Sequence, residues 1–340
     1  MKKLLSAISS IFLVMCFLVL TETKTKSADD KLTLIIASNQ TSVENPYHFG
    51  LLKFKEVAEK ISNGKLEVIC HDGTLGENES ELVEKLSMGA AQLVVVSPGF
   101  MTAVGVPEVD MLSLLYLFDG FEHWEKALDG EFGIAMRDTI LNKTGNNFRI
   151  VGYWSAGVRD YYGKKPVKTV ADMKGLTIRT QTSGVVSDFW KQTGAIPTQV
   201  AWGELYQALE QGVVDSAEND YTNFMLKGHH KTANGKYTSE THHDFTTRLF
   251  LIDGNYYNSL TAEQKAWIDE ASKAATAEER KVTYAMMDDS KATVKAEGGI
   301  ITEFKDVDVA GFKAIALPIQ DNFAEKNNMK QYLEMVRKAK

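Results

Sequence analysis

The chain uses one helix-to-strand joint twice. The spacing E-L-x-x-x-L-x-x-G occurs as ELVEKLSMG at 81–89 and again as ELYQALEQG at 204–212, and a small apolar run follows each copy. Around the first copy the pattern reads strand LTLIIAS (32–38), helix from about Tyr47 to Ser62, strand KLEVIC (65–70), helix 80–88 and strand AQLVVVS (91–97). Phe49, Leu52, Phe54, Val57, Ala58 and Ile61 fall near helical spacing in the first of these helices. Around the second copy it reads strand GLTIRT (175–180), helix SGVVSDFWKQ (183–192), strand AIPTQVA (195–201), helix GELYQALEQ (203–211) and strand VVDSAEN (213–219). Gly64, Gly89, Gly194 and Gly212 stop the helices at matching places, as expected of a residue that enters the left-handed conformation without steric cost. The short spacing recurs easily by chance; its recurrence inside the same element order does not. The expectation is an α/β protein of two similar lobes, each a β-α-β-α-β unit with a largely parallel sheet covered by helices. The repeated joint is then the second helix and third strand of each lobe.

A third feature ties the halves together. Residues 261–298 read as one helix opened by a capping box of Thr261 and Gln264, with no Pro or Gly until Gly298-Gly299. About 37 residues at helical rise span roughly 55 Å. That exceeds one lobe, so the helix is expected to brace both.

The N-terminus reads as a secretory signal peptide over 1–28: Lys2 and Lys3, then an apolar run from Leu4 to Leu20, then polar residues. A membrane anchor is the competing use of a run that approaches spanning length. A lipid-modified Cys16 fits less well, because Met15 precedes it where a small residue is needed. Removing 1–28 leaves 34 basic and 44 acidic side chains, a net charge of −10. That argues against nucleic acid or an anionic membrane surface as partner. Cys70 would then be the sole cysteine, so no internal disulfide forms and a large core must supply stability.

Ligands of open α/β sheets bind beyond the carboxyl ends of the strands. Arg179 ends the strand GLTIR, Asn219 ends VVDSAEN, and Trp202 follows AIPTQVA. A further strand-like stretch, FRIVGYWSAGVRDYY (148–162), carries Arg159. An arginine fork donates two parallel hydrogen bonds to a carboxylate. Asn219 can donate to and accept from a hydroxyl or carboxylate, and Trp202 offers a flat apolar wall. Taken singly, each has a plainer use: a solvated or paired arginine, a turn asparagine, a core or rim tryptophan. Their convergence on one edge makes them a candidate site.

The runs ADMKGLTIRT and GAIPTQVAWGELYQALEQGVVDSAEN resemble the signature of the DctP-type solute receptors of tripartite ATP-independent periplasmic (TRAP) transporters. LGENESELVEKLSMGAAQL and GVRDYY resemble upstream segments of the same family, and the resemblance covers about 32 to 330. It implies a two-lobed periplasmic-binding-protein fold with hinge strands, closing on a small organic acid and delivering it to the membrane permease subunits of a TRAP transporter. Lobe I is expected at 29–156 plus 245–284 and lobe II at 157–244 plus 285–340. Arg179 matches the family's principal carboxylate ligand, Arg159 its assisting arginine, Asn219 the asparagine of the E-N pair and Trp202 the pocket aromatic. The family often has Phe where Trp202 stands. Asn78, after the L-G turn, is the expected first-lobe contact. The AEND run with its downstream histidines leans toward sugar acids such as uronates; C4-dicarboxylate and sialic-acid receptors are the family alternatives, and a secreted enzyme acting on sugar acids is the alternative of another class.

No catalytic residue, cofactor or metal is expected. His229-His230 and His242-His243 lack an i,i+4 pairing or a cysteine set, and read as polar loop or cleft rim. No P-loop, H-E-x-x-H or G-x-S-x-G occurs. The pairs Glu79/Glu81 and Asp288/Asp289 read as solvated faces, poorly suited to acid–base work.

Overall fold

A computed structural model describes residues 31–76 and 78–340; the expected export segment and Cys16 lie outside the described residues. The first half runs β1 (Leu32–Ser38), α1 (Pro46–Ile61), β2 (Leu66–Asp72), α2 (Glu79–Ser87), β3 (Leu93–Val96), α3 (Phe121–Asp129), α4 (Glu131–Lys143) and β4 (Phe148–Gly163). The second runs β5 (Thr177–Thr180), α5 (Gly184–Gln192), β6 (Ile196–Gln199), α6 (Leu205–Glu210), β7 (Ser216–Asn219), α7 (Tyr221–Leu226), β8 (Tyr237–Asp253) and α8 (Gly254–Ser259). α9 (Ala262–Ala296), β9 (Ile300–Thr302), α10 (Val309–Lys326) and α11 (Lys330–Lys338) follow.

The described strands form one sheet in the order β2-β1-β3-β8-β4-β7-β5-β6, with β9 beside β8. β1 pairs in parallel with β2 and β3, and β5 in parallel with β6 and β7. These are the two expected β-α-β-α-β units. The long antiparallel pair β4–β8 runs between them. Strand β8 has no counterpart in the sequence reading. It is 17 residues long and almost wholly buried, so its polar run YTSETHHDFTT shows no inward–outward alternation to read. His242 and His243 therefore sit in a strand, which corrects their assignment to a loop. The β4–β8 ladder shifts register between Ile150 and Gly152, between Ser155 and Val158, and between Arg159 and Tyr161. Gly157 (φ 74°) and the non-glycine His242 (φ 42°) take the positive φ that such shifts require.

The helix ends follow the local chemistry. Asn45 caps α1 by accepting from the Tyr47 amide at 3.0 Å, and Pro46 occupies the first turn. Gly64, Gly89, Gly194 and Gly212 all have φ between 72° and 87°. Thr261 and Gln264 form the expected reciprocal box, at 3.0 and 3.2 Å. The 35 residues of α9 pack on α1 at one end and on α7 at the other. Thr276 accepts from the Trp154 indole at 3.1 Å, while Ser290 and Thr222 hydroxyls meet at 3.2 Å. α1 and α9 cover the first-half sheet through Leu51, Phe54, Ala58, Ala271 and Ala275 against Trp154 and Phe250. Each fully buried Phe or Leu in that layer contributes about 1.5–3 kcal/mol.

The two units meet closely at their strand ends. A Cβ on Gly99, just after β3, would lie 2.0 Å from the carbonyl oxygen of Thr182, just after β5. Neither backbone can yield as a flexible side chain would. Gly99→Ala is expected to cost about 1–3 kcal/mol by forcing these ends apart. A denaturant midpoint equal to wild type would show that the approach is not as close as described.

Candidate ligand-binding site

All five residues expected at the site line one cavity of about 330 Å³: Arg179, Arg159, Asn219, Trp202 and Asn78. Each half of the chain supplies part of the wall. Ser97 and Asn78 come from the first unit, and Arg179, Gln181 and Trp202 from the second. The Ser97 hydroxyl donates to Gln181 Oε1 across the cavity at 3.3 Å. Nearby, Asn45 Nδ2 donates to Asn223 Oδ1 at 2.9 Å, and Lys227 Nζ to Thr41 Oγ1 at 3.0 Å.

Arg179 is held at the end of β5, only 5% exposed. Its Nε donates to the Val200 carbonyl at 3.0 Å. Its two terminal nitrogens have no partner among the described residues, and no carboxylate there reaches ion-pair distance. Burial pulls its pKa below the ordinary arginine value, yet an arginine stays charged at neutral pH. The Trp202 ring lies 5.8 Å from its guanidinium carbon. Behind Trp202, His229 packs edge-on at 5.2 Å, and its Nδ1 meets the Tyr162 hydroxyl at 2.9 Å. His229 is buried, and that burial, with Arg179 and Lys227 nearby, pushes its pKa down to about 3. It is a neutral support for the indole, set in the short turn between α7 and β8.

Arg159 is differently placed. Its Nε and Nη2 both reach the Glu218 carboxylate, the latter at 2.8 Å, and Nη1 donates to Asn219 Oδ1 at 2.9 Å. Burial alone would raise the Glu218 carboxyl, but Arg159 and His243 outweigh it and hold the group down to about 2. Arg159 thus stands paired at the cavity wall, and it orients Asn219, whose Oδ1 also accepts from the Asp220 amide at 3.0 Å. Asn78 caps α2: its Oδ1 accepts from the Glu81 amide at 3.0 Å and its Nδ2 donates to the Glu81 side chain at 2.7 Å.

Two charged lining residues were missed from sequence. Glu79 is 7% exposed and not on a solvated face, which corrects the reading made from its pairing with Glu81. Its Oε2 accepts from the Ser97 amide at 2.7 Å, and its Oε1 has no partner among the described residues. Its place as the fifth residue of the LGENES turn was its only sequence signal. Arg248, on β8, donates through Nη1 to its neighbour's carbonyl, Thr247 O, at 3.2 Å; its buried Nε has no partner among the described residues. It was invisible because β8 was. The cavity therefore offers two guanidinium groups free of any described carboxylate partner, one carboxylate acceptor, amide side chains and an indole wall. That inventory is chemically suited to hold a hydroxylated anion.

The family model for bacterial extracellular solute-binding proteins of family 7, DctP, matches residues 37–327. The chain belongs to that family. This DctP-family protein is 30% identical to a solute-binding protein of Chromohalobacter salexigens, over 80% of its own length and 79% of the relative's. It is 26% identical to the C4-dicarboxylate-binding periplasmic protein DctP of Rhodobacter capsulatus, over 85% and 86% of the two chains. Among solved structures it is similar to a TRAP periplasmic solute-binding protein of Roseobacter denitrificans with bound β-D-glucuronate: TM-score 0.83, 26% identity, 90% of this chain and 99% of that one. A Chromohalobacter salexigens TRAP protein with bound D-glucuronate matches with TM-score 0.83 and 25% identity, over 90% and 100%. The two-lobed α/β fold with a long bracing helix is the fold of these receptors. No helix among the described residues is long and apolar enough to cross a membrane.

Proposed function

We propose that this DctP-family protein is a periplasmic receptor for a sugar acid, a uronate foremost, that it grips through the acid's carboxylate and hands to a TRAP-type membrane permease. The observation that carries the reading is the Arg179 guanidinium: buried, anchored through Nε, and with both terminal nitrogens unpartnered by the described residues. A buried charge without a partner is costly, so the site is built for an anion that arrives from solution. Arg159 keeps Asn219 in place for a second polar contact, and Trp202 lies against the carbon skeleton. Contacts from both units favour the closed form, so ligand shifts the open–closed population. The bound glucuronate of the related receptors supports a uronate here. The lobe limits proposed are 29–156 plus 245–284 and 157–244 plus 285–340, and residues 1–28 are proposed as the export signal.

Arg248, a second guanidinium without a described carboxylate partner, favours one competing reading, a C4-dicarboxylate with an acid group at each end. Glu79 weighs against it. A free carboxylate oxygen accepts from a ligand hydroxyl and repels a second carboxylate. Glu79→Gln is therefore expected to weaken D-glucuronate by about 1.5–3 kcal/mol and to leave succinate unchanged or improved. The check is isothermal titration of both acids with both proteins. Tighter binding of succinate than of glucuronate by the wild type would move the assignment to dicarboxylates.

A further inference from the structure

A second polar cluster lies away from the ligand cavity, where β4 and β8 lose register between Arg159 and Tyr161. Asp160 and Glu240 each bring a carboxylate oxygen, and His242 a ring nitrogen, within 4.8 Å of one another. None of the three lines the ligand cavity. Asp160 is 1% exposed. Its Oδ1 accepts from the His242 amide at 2.8 Å, and its buried Oδ2 has no partner among the described residues. Glu240 Oε1 takes the Lys291 ammonium at 2.6 Å and the Tyr221 hydroxyl at 3.1 Å; Oε2 accepts from the Phe304 amide at 3.0 Å. Lys291 also reaches Glu303 at 2.7 Å. Two carboxylates, Glu240 and Glu303, thus share one ammonium within ion-pair distance, and Asp160 adds a third carboxylate whose Oδ2 lies 3.9 Å from the His242 ring, an excess of acidic groups that a divalent cation would neutralise.

We propose that Asp160, Glu240 and His242 form a binding site for a divalent transition-metal ion, with Zn²⁺ the best fit. Two carboxylates and an imidazole are a ligand set that zinc accepts, with bonds of about 2.0–2.2 Å and a fourth position left for water. A tetrahedral ion sets its ligand atoms roughly 3.3 Å apart, so the three groups need close by no more than about 1.5 Å. The His242 ring is already oriented, stacked on Phe304 at 4.5 Å and 17°. Its side chain is 31% exposed, which gives the ion a way in and water the open position. His242 and Glu240 come from β8 and Asp160 from β4, so the ion would staple the two strands that run between the units. It would thereby act on opening and closing without touching the solute.

The test is calorimetric titration of the metal-free full chain with Zn²⁺, repeated with Co²⁺ as a visible reporter. The wild type is expected to take up one ion per chain, and the Co²⁺ form to show tetrahedral d–d absorption. His242→Ala is expected to weaken uptake at least tenfold and abolish the absorption; Asp160→Asn should weaken it similarly. His48, paired with Asp72 at 2.8 Å elsewhere on the chain, provides the control. No saturable uptake by the wild type would overturn the proposal. So would uptake that His48→Ala removes and His242→Ala leaves intact.

Discussion

Arg179→Ala is expected to abolish binding of the acid while leaving the ligand-free protein at least as stable as the wild type. The two halves of that result have one cause. In the ligand-free protein the guanidinium is buried, and only its Nε finds a partner among the described residues. Removing it deletes a desolvated charge and breaks one charge-assisted hydrogen bond to the Val200 carbonyl. With acid bound, the same group supplies two charge-assisted hydrogen bonds of about 1.5–3 kcal/mol each. Their loss is about 3–6 kcal/mol, roughly 10²- to 10⁴-fold in affinity. Thermal melts with and without D-glucuronate read both halves. At 100 times its dissociation constant the acid adds about 2.7 kcal/mol to the wild type, a rise of several degrees for a chain this size. The variant should show no rise and an undiminished starting midpoint. A full ligand-induced rise in Arg179→Ala would remove this residue from the site, and a collapsed starting midpoint would make it a structural residue.

Arg159→Ala is expected to do the reverse, destabilising the empty receptor by about 3–5 kcal/mol. Here the guanidinium already has its carboxylate, and deletion leaves Glu218 buried with only His243, at 3.2 Å, in place of the guanidinium. Glu218 also fixes the pH dependence. Its folded pKa, about 2, lies below the ordinary 4.5. A carboxylate depressed in this way stabilises the fold above its unfolded pKa, and the contribution disappears as pH falls through the folded value. The wild type's advantage over Glu218→Gln should therefore be complete above about pH 5 and shrink by about 3 kcal/mol on the way to pH 2. Urea unfolding at pH 7, 4 and 3 measures it. An Arg159→Ala protein as stable as wild type would mean that the pair contributes nothing to the fold. On the proposed function, two arginines lining the same cavity thus have separate roles: Arg179 for the solute, Arg159 for the wall.

That separation was not legible beforehand. Arg179 and Arg159 were both found from their places in strands, but nothing in GVRDYY says that Glu218 lies within reach of Arg159. The contact exists because β7 pairs with β4 and sets Tyr161 opposite Glu218. Glu79 was misread for a similar reason. Beside Glu81 it resembles a solvated helix start, and only the docking of α2 beneath Ser97 turns it inward. β8 was missed outright, and Arg248 and the companions of His242 with it.

The residues alone determined whatever depends on neighbours along the chain: the two parallel units, the glycine-ended helices, the long capped helix, the strand-end arginine and the family. Each rests on short-range periodicity, capping or backbone freedom, which a linear pattern records. Only the tertiary structure decided which buried charges have partners. A buried strand carries polar residues on both faces when other elements satisfy them, so its sequence loses the alternation that would announce it. Whether a guanidinium is spent on a neighbour or left open for a solute is settled by pairings between residues far apart in the chain, such as Arg159 with Glu218, and these exist only once the sheet has formed.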